Sequence, residues 1–237
     1  MRVTLFAVLL FLLSSFTLVQ AQRSTLDLVG GVDYAYRILQ GPDSLQAVLD
    51  SRDAGESPRL TGRFGINYAI RLTPRTWLKT GLRYVEMGYR YHNDDLRFGI
   101  DPTTGSTTDP SGITDITIRY KYQFISVPLA VRHQFSDKKL SPYLELGVAP
   151  QWLRDAYTTF GTNISDPVRM DDDPNFDYTK FHVSGFLAAG LNYQLSAQWQ
   201  GFIQPTLRYH FTGSTIDTPI EEHLYSIGLE LGLRRML

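Results

Sequence analysis

The sequence predicts an all-β protein, an eight-stranded antiparallel transmembrane up-and-down β-barrel. Three observations support this fold class. The chain opens with an apolar leader, segments of alternating polarity recur through the rest of it, and the connections between these segments are alternately short and long. Together they describe an exported chain whose sheet closes on itself inside a bilayer.

The first 21 residues have the composition of a cleaved signal peptide. Arg2 supplies the positive charge, Leu5 to Leu13 form an apolar core, and Val19-Gln20-Ala21 fits a small-residue cleavage site. The apolar core is short for a helix that stays in the membrane as an anchor. We therefore expect residues 1–21 to be removed on export, and residues 22–237 to form one β-barrel domain in the cell outer membrane.

Alternation with a period of two marks the strands. In residues 60–72 every second residue from Leu60 to Leu72 is apolar or glycine, and Arg63, Asn67 and Arg71 lie between them. This is the period at which side chains alternate between the faces of a strand. Eight segments show the pattern, which suits the smallest even-numbered bacterial barrels: 25–38, 60–72, 76–92, 116–135, 143–154, 178–195, 199–211 and 222–237.

Two of the segments change phase along their length. The apolar residues of 76–92 move to the other face between Tyr84 and Val85, and those of 116–135 do so between Phe124 and Ile125. A β-bulge or emergence of the strands from the bilayer would each produce such a change. If the two segments form a hairpin, the two changes lie opposite each other.

The connections predict the orientation. Residues 73–75, 136–141 and 196–198 are short turns, whereas the other connections are longer and polar, namely 41–58, 93–115, 157–177 and 212–221. Outer-membrane barrels have short periplasmic turns and long external loops. Both ends of the barrel domain then lie in the periplasm.

The two faces of the segments favour a barrel over a soluble sandwich. One face is a band of Leu, Ile, Val, Phe and Tyr that we expect to contact lipid, with aromatic residues near the strand ends. The other face is small and charged, so we predict a packed lumen without a porin-sized pore. Its charged residues are Arg63, Arg71, Lys79, Arg83, Arg119, Lys121, Glu145, Lys180, Arg208, Glu230 and Arg234.

Composition and motifs exclude several functions. The formal net charge is −1 and there is no cysteine, so the chain has no electrostatic basis for nucleic-acid binding and no thiolate metal site. The sequence has no phosphate-binding glycine loop, no His-Glu-x-x-His and no Gly-x-Ser-x-Gly. We expect no cofactor.

Four strand motifs resemble the Bacteroidota outer-membrane β-barrel domain family, the PorT-like group. They are Thr80-Gly81-Leu82-Arg83-Tyr84 followed by Gly88-Tyr89, the run from Phe124 to Arg132 around Val127-Pro128-Leu129, the run from Pro142 to Gly147, and the run from Ile227 to Leu233. Their order covers the barrel from about Thr25 to the end. The resemblance implies the fold and the outer-membrane location; some members serve protein secretion and others have no assigned role, so it names no activity.

One cluster of side chains suggests catalysis. If 178–195 and 199–211 pair, His182 lies close to His210, with Ser184 one step deeper, and the next hairpin brings Glu222 alongside His210. Histidine, serine and a carboxylate form hydrolytic triads, and two histidines with a carboxylate bind zinc. Ordinary packing of a polar lumen accounts for the same residues.

A second candidate site lies in a long loop. Asp171, Asp173, Asn175 and Asp177 place oxygen ligands at alternating positions, a spacing that suits calcium. The run is not an EF-hand, because Phe176 stands where a glycine is needed. A solvated acidic loop is the simpler interpretation.

Three functions follow from these observations. The first is a non-enzymatic barrel that acts through its long external loops or as a partner of other envelope proteins, with outer-membrane lipid around it. The second is an outer-membrane lipid or peptide hydrolase that uses the cluster of His182, Ser184, His210 and Glu222. The third is a narrow channel for small solutes.

Overall fold

Ten β-strands and one α-helix form the computed structural model, which describes residues 24–94, 113–171, 178–216 and 218–237, with the backbone alone for 169–171. The predicted leader, residues 1–21, lies outside this range. The helix is α1 (Gln46–Gly55). The strands are β1 (Ser24–Gln40), β2 (Glu56–Arg71), β3 (Thr76–Asn93), β4 (Ile116–Ser126), β5 (Leu129–Gln134), β6 (Leu140–Thr162), β7 (Ser165–Asp171), β8 (Phe181–Gln194), β9 (Trp199–His210) and β10 (Glu221–Met236).

Antiparallel pairing closes the sheet into a ring of eight. The first strand pairs with the last along its whole length, from Thr25 opposite Met236 to Gln40 opposite Glu221. Strands β4 and β5 together fill one place between β3 and β6, because the pairing breaks at Val127-Pro128 and proline has no N–H to donate. Strand β7 pairs with β6 outside the ring. The predicted eight-stranded antiparallel barrel is confirmed.

The apolar residues of β3 and β4 change face for a reason that the sequence did not indicate. Strands β3 and β4 do pair as a hairpin, with Val85 opposite Phe124, and their register is continuous there. The register shifts lie instead where β2 meets β3 and where β6 meets β4. Val85, Met87 and Tyr89 are buried inside the barrel. The apolar residues therefore change face because the lumen itself becomes apolar towards the end of the barrel that carries the long connections, which we call the outer end.

The outward face is a continuous apolar band. Large apolar side chains of every strand in the ring are exposed there, including Leu28, Leu82, Leu146, Leu187 and Leu231. Exposed aromatic side chains bound the band: Phe181 and Tyr193 on β8 are twelve residues apart, as are Trp199, which begins β9, and Phe211, which directly follows it. At about 3.3 Å per residue and a tilt of about 40°, twelve residues span about 30 Å across the membrane. This matches the thickness of the hydrocarbon core of a bilayer.

The inward face carries most of the predicted charges. Arg63, Lys79, Arg83, Glu145, Arg208, Glu230 and Arg234 are buried in the lumen, together with Asp27, Asp33, Arg37, Arg132 and Glu222. Arg119 and Lys121 were wrongly assigned to this face, because they alternate along β4 with Tyr122 and Phe124, which are buried inside the barrel. Lys180 precedes β8 and is exposed. Small residues make room for the large ones: a Cβ on Gly31 would lie 2.7 Å from the Leu229 carbonyl oxygen and 3.2 Å from Arg63 Nε.

Two of the long connections are partly folded. Residues 41–58, predicted as a loop, contain α1. The helix ends at Gly55, where a Cβ atom would clash with the Tyr91 ring. Residues 157–177, also predicted as a loop, contain the end of β6 and β7, so a β6–β7 hairpin extends beyond the ring. Within the described ranges no helix has the length and apolar character needed to cross a membrane.

Leu187 tests the assignment of the outward face to lipid. It is exposed and lies midway between Phe181 and Tyr193 on β8, so Leu187→Arg places a charge near the bilayer midplane. We expect the free energy of unfolding in lipid vesicles to fall by about 2–4 kcal/mol, measured by denaturant titration. Ile164→Arg at the tip of the β6–β7 hairpin is the control and should change it by less than about 0.5 kcal/mol. Equal effects at the two positions would contradict a lipid-facing band.

Candidate functional site

A layer of paired charges crosses the middle of the lumen. The carboxylate of Glu230 on β10 accepts hydrogen bonds from Arg83 Nη1 at 2.9 Å, Arg63 Nε at 3.1 Å and Gln204 Nε2 at 2.8 Å. Arg63 also pairs with Asp33. These groups come from five different strands, and all of them are buried. Buried charges are stable when they are paired and hydrogen-bonded, and each arginine of this layer has a carboxylate partner, although Arg63 Nη2 and Asp33 Oδ2 have no hydrogen-bond partner among the described residues.

A second charged layer lies nearer the short turns. Asp27 accepts hydrogen bonds from Arg234 Nε at 2.8 Å and Nη2 at 3.0 Å, and Arg132 Nη1 approaches it at 3.5 Å. Lys79 on β3 pairs with Glu145 on β6, and these two strands flank β5, which carries Arg132. With the layer around Glu230, these pairs fill the lower and middle lumen.

Helix α1 covers the outer mouth of the barrel. Leu49 on the helix is buried, and Arg52 donates to Glu56 at 2.8 Å, to the Tyr89 hydroxyl at 3.1 Å and to Glu222 at 3.3 Å. Burial opposes the charge on Arg52, but nearby Tyr89 and two carboxylates outweigh it, so the pKa of the guanidinium lies above its usual value. The helix is thus fixed to the lumen wall by a charged side chain.

Below the helix lies an apolar and aromatic cluster. It contains Ala35, Val85, Met87, Tyr89, Tyr122, Phe124, Ala156 and Leu224. The hydroxyls of Tyr89 and Tyr122 donate to Glu222 at 2.8 Å and 3.0 Å. The carboxylate of Glu222 is therefore already held by two phenols and an arginine.

The predicted cluster of His182, Ser184, His210 and Glu222 is assembled only in part. The rings of His182 and His210 are in contact, with centroids 5.7 Å apart, and both pack on Phe124. Ser184 is opposite His210 in the β8–β9 register, but its hydroxyl oxygen accepts a hydrogen bond from Gln151. His182 Nε2 is 2.9 Å from the Thr179 carbonyl oxygen, and neither ring nitrogen of His210 has a hydrogen-bond partner among the described residues.

Glu222 does not lie alongside His210, contrary to the expectation from sequence. Tyr225 pairs with Tyr209, so the register places Leu224 beside His210. The carboxylate of Glu222 faces Tyr89, Tyr122 and Arg52 instead. In the described residues no hydrogen bond joins His182 or His210 to a carboxylate, so these two histidines do not form the geometry of a hydrolytic triad.

The metal candidates fall mostly outside the described part of the chain. Asp173, Asn175 and Asp177 lie outside it, and Asp171 ends β7 with only its backbone described. In the ranges that are described, no group of three or more His, Asp or Glu side chains is placed to hold a metal ion.

A cationic cavity opens at the short-turn end, and sequence analysis missed it. We call it the short-turn vestibule; its volume is about 260 Å³. Its lining includes five basic residues and, among the described residues, one acidic residue: Arg71, Arg132, Lys138, Lys139 and Arg234 against Asp137. Arg71, Lys138 and Lys139 lie in or beside short turns, so the sequence alone could have indicated a basic surface there. Arg132 and Arg234 join them only when the ring closes.

We compared the chain with known proteins by sequence and by structure. No protein-family model matches it, and no curated protein does. Similar solved structures include Neisserial surface protein A (TM-score 0.42, 10% identity, 90% of this chain and 96% of that chain) and a major outer membrane protein from Thermus thermophilus (TM-score 0.43, 11% identity, 90% and 99%). Ail, the attachment invasion locus protein of Yersinia pestis, in complex with sucrose octasulfate, is also similar (TM-score 0.37, 11% identity, 89% and 98%).

The location of the chain follows from its own architecture. A closed antiparallel ring of eight strands satisfies its backbone hydrogen bonds within the barrel, and its outward face is an apolar band of bilayer thickness. Bacterial barrels with this construction span the outer membrane. The chain is an integral outer-membrane β-barrel protein.

The layer around Glu230 makes the strongest stability prediction. Glu230→Ala leaves Arg63 and Arg83 buried without their shared carboxylate, so we expect a loss of about 3–5 kcal/mol in the free energy of unfolding, measured by denaturant titration in lipid vesicles. Glu221→Ala is the control, because the Glu221 side chain is 67% exposed, and it should cost less than about 0.5 kcal/mol. If Glu230→Ala left the free energy of unfolding unchanged, water would satisfy the arginines as well as the carboxylate does.

Proposed function

We propose that this protein is a non-enzymatic barrel that binds a partner through its outer end. The observation that supports this most strongly is closure of the lumen: the charged layer around Glu230 crosses it, and α1 covers its outer mouth through Arg52 and Glu222. A lumen filled in this way favours a scaffold over a conduit. The surface that remains for binding is the part of the barrel beyond the lipid.

The outer end of the barrel extends farther than is needed to cross the membrane. Strand β6 has 23 residues, whereas about 9–11 are enough to cross a bilayer. Its outer part continues into the β6–β7 hairpin, where Ile164 is 59% exposed and Val168 61% exposed. Neither side chain has lipid to cover it there. Exposed apolar residues on a projection beyond the bilayer are typical of protein contact sites.

The partner that fits this surface best is another protein of the cell envelope. A rigid two-stranded projection offers a preformed contact surface, and loops and projections on rigid scaffolds are where binding functions concentrate. We further propose that the chain belongs to the PorT-like group, on the strength of its strand motifs. One motif glycine, Gly88, has φ +147° and lies against the Tyr120 carbonyl oxygen, where only glycine fits.

Conductance tests the closed lumen. In planar bilayers we expect no current steps of porin size from the purified barrel. Replacing residues 46–55 by a flexible linker should leave the conductance low, because the charged layers below α1 remain. Porin-sized steps from the unmodified protein would instead support the channel hypothesis.

Site-directed photo-cross-linking in native cells tests the binding surface. A photoreactive residue at Ile164 should form a protein adduct, which Val168→Asp should weaken by removing the apolar neighbour on the hairpin. The same residue at Leu187, which faces lipid, is the matched control and should form no such protein adduct. Adducts at Leu187 but none at Ile164 would place any partner on the membrane-embedded wall instead.

A further inference from the structure

We propose that the short-turn vestibule is a binding site for a small phosphate-type oxyanion, either inorganic phosphate or a phosphate monoester. The inference concerns the end of the barrel opposite to the partner-binding surface and is independent of it. The vestibule faces the periplasm, because the short turns of outer-membrane barrels lie on that side.

The floor of the vestibule carries an excess of buried positive charge. Arg132 and Arg234 are 1% and 2% exposed, and the carboxylate that both of them approach is Asp27. Arg234 binds Asp27 through two nitrogens, whereas Arg132 reaches it only at 3.5 Å. Two cations thus share one anion, and a buried charge without full compensation favours a counter-ion.

Two buried donors on this floor lack partners. Arg132 Nε has no hydrogen-bond partner in the described part of the chain, nor has Asn192 Nδ2, although Asn192 is only 2% exposed. The orientation of the amide is fixed, since Arg234 Nη1 donates to Asn192 Oδ1 at 2.8 Å. Its nitrogen is therefore the atom left to donate. A buried donor without a partner destabilises the fold, and an anion in the vestibule would supply the missing acceptor.

The donors are held in place before any ligand arrives. The Arg132 guanidinium lies over Trp77 at 5.6 Å and over Tyr143 at 5.8 Å from the ring centroids. Arg71 at the rim also lies over Trp77, at 5.7 Å from the ring centroid. Stacked guanidinium groups keep their orientation, so little conformational entropy is lost on binding.

The number and type of donors favour a tetrahedral oxyanion over a carboxylate. The floor offers a guanidinium and an amide, and the rim adds the exposed side chains of Lys138 and Lys139, of which the Lys139 ammonium also lies over the Tyr193 ring, 5.1 Å from its centroid. A phosphate presents at least three acceptor oxygens, whereas a carboxylate presents two. A volume of about 260 Å³ also leaves room for a small organic group on the phosphate.

Calorimetry on the folded full-length barrel in phosphate-free maltoside detergent tests the site. The titrants are inorganic phosphate, glycerol 3-phosphate, dihexanoyl phosphatidic acid and, as a carboxylate of similar charge, succinate. We expect saturable one-to-one binding of phosphate compounds and none of succinate. Binding of the two soluble phosphates identifies a free solute as the source of the ligand, and binding of the phosphatidic acid alone identifies a lipid headgroup.

Asn192→Asp is the decisive variant. It keeps an oxygen for Arg234 but removes the free amide donor and adds negative charge, so phosphate binding should weaken at least about tenfold. Lys138→Gln with Lys139→Gln changes only exposed rim residues and should weaken binding about three- to tenfold, which provides a second test if Asn192→Asp does not fold. Lys180→Gln, an exposed lysine at the other end of the barrel, is the control and should leave binding within about twofold.

Three results would overturn the proposal. They are the absence of binding by all three phosphate compounds at millimolar concentration, undiminished binding by folded Asn192→Asp or by the double lysine variant, and succinate binding equal to that of phosphate. Retention of the folded state in each variant is verified by its heat-modifiable migration on gels.

Discussion

Hydrogen bonding between β1 and β10 is the constraint from which the other features of this barrel follow. In hydrocarbon an unpaired strand edge leaves a row of N–H and C=O groups without partners, at a cost of several kcal/mol each. Pairing from Thr25–Met236 to Gln40–Glu221 removes both edges at once. Closure with eight strands then fixes a narrow interior that only side chains fill.

The contents of that interior follow from its width. Side chains from opposite walls meet, so a charge on one strand needs an opposite charge on another, as Glu230 has in Arg63 and Arg83. Towards the outer end, inward-facing positions hold aromatic and aliphatic side chains, which need no charged partner. Polar atoms remain there too, among them those of His210, which packs on Phe124 and His182. The lumen is thus a folded core of mixed polarity: paired charges fill its lower and middle layers, and Arg37 and Glu222 add buried charge at the outer end.

The two ends of the barrel differ in structure and in chemistry. At the outer end, α1 closes the mouth and the β6–β7 hairpin projects from the rim with apolar residues exposed. At the short-turn end the mouth stays open as a cavity lined by basic residues. A single rigid wall therefore presents two surfaces of unlike chemistry to the two sides of the membrane.

The sequence by itself determined the eight segments of the ring, most of their faces and their antiparallel order, because the period of two is local and composition marks each turn. It missed β7 and assigned Arg119 to the wrong face. The sequence also predicted that His182 lies close to His210, since β8 and β9 are joined by a short turn. Only the tertiary structure decided which charges pair: Glu230 and Arg83 lie on strands three places apart round the ring, and no local pattern connects them. The same reason explains why Glu222 meets Tyr89 and Tyr122 and not His210, why residues 46–55 fold as a helix over the lumen, and why Arg132 and Arg234 meet at one cavity. Each of these depends on contacts between segments far apart in the chain, which exist only once the sheet has closed.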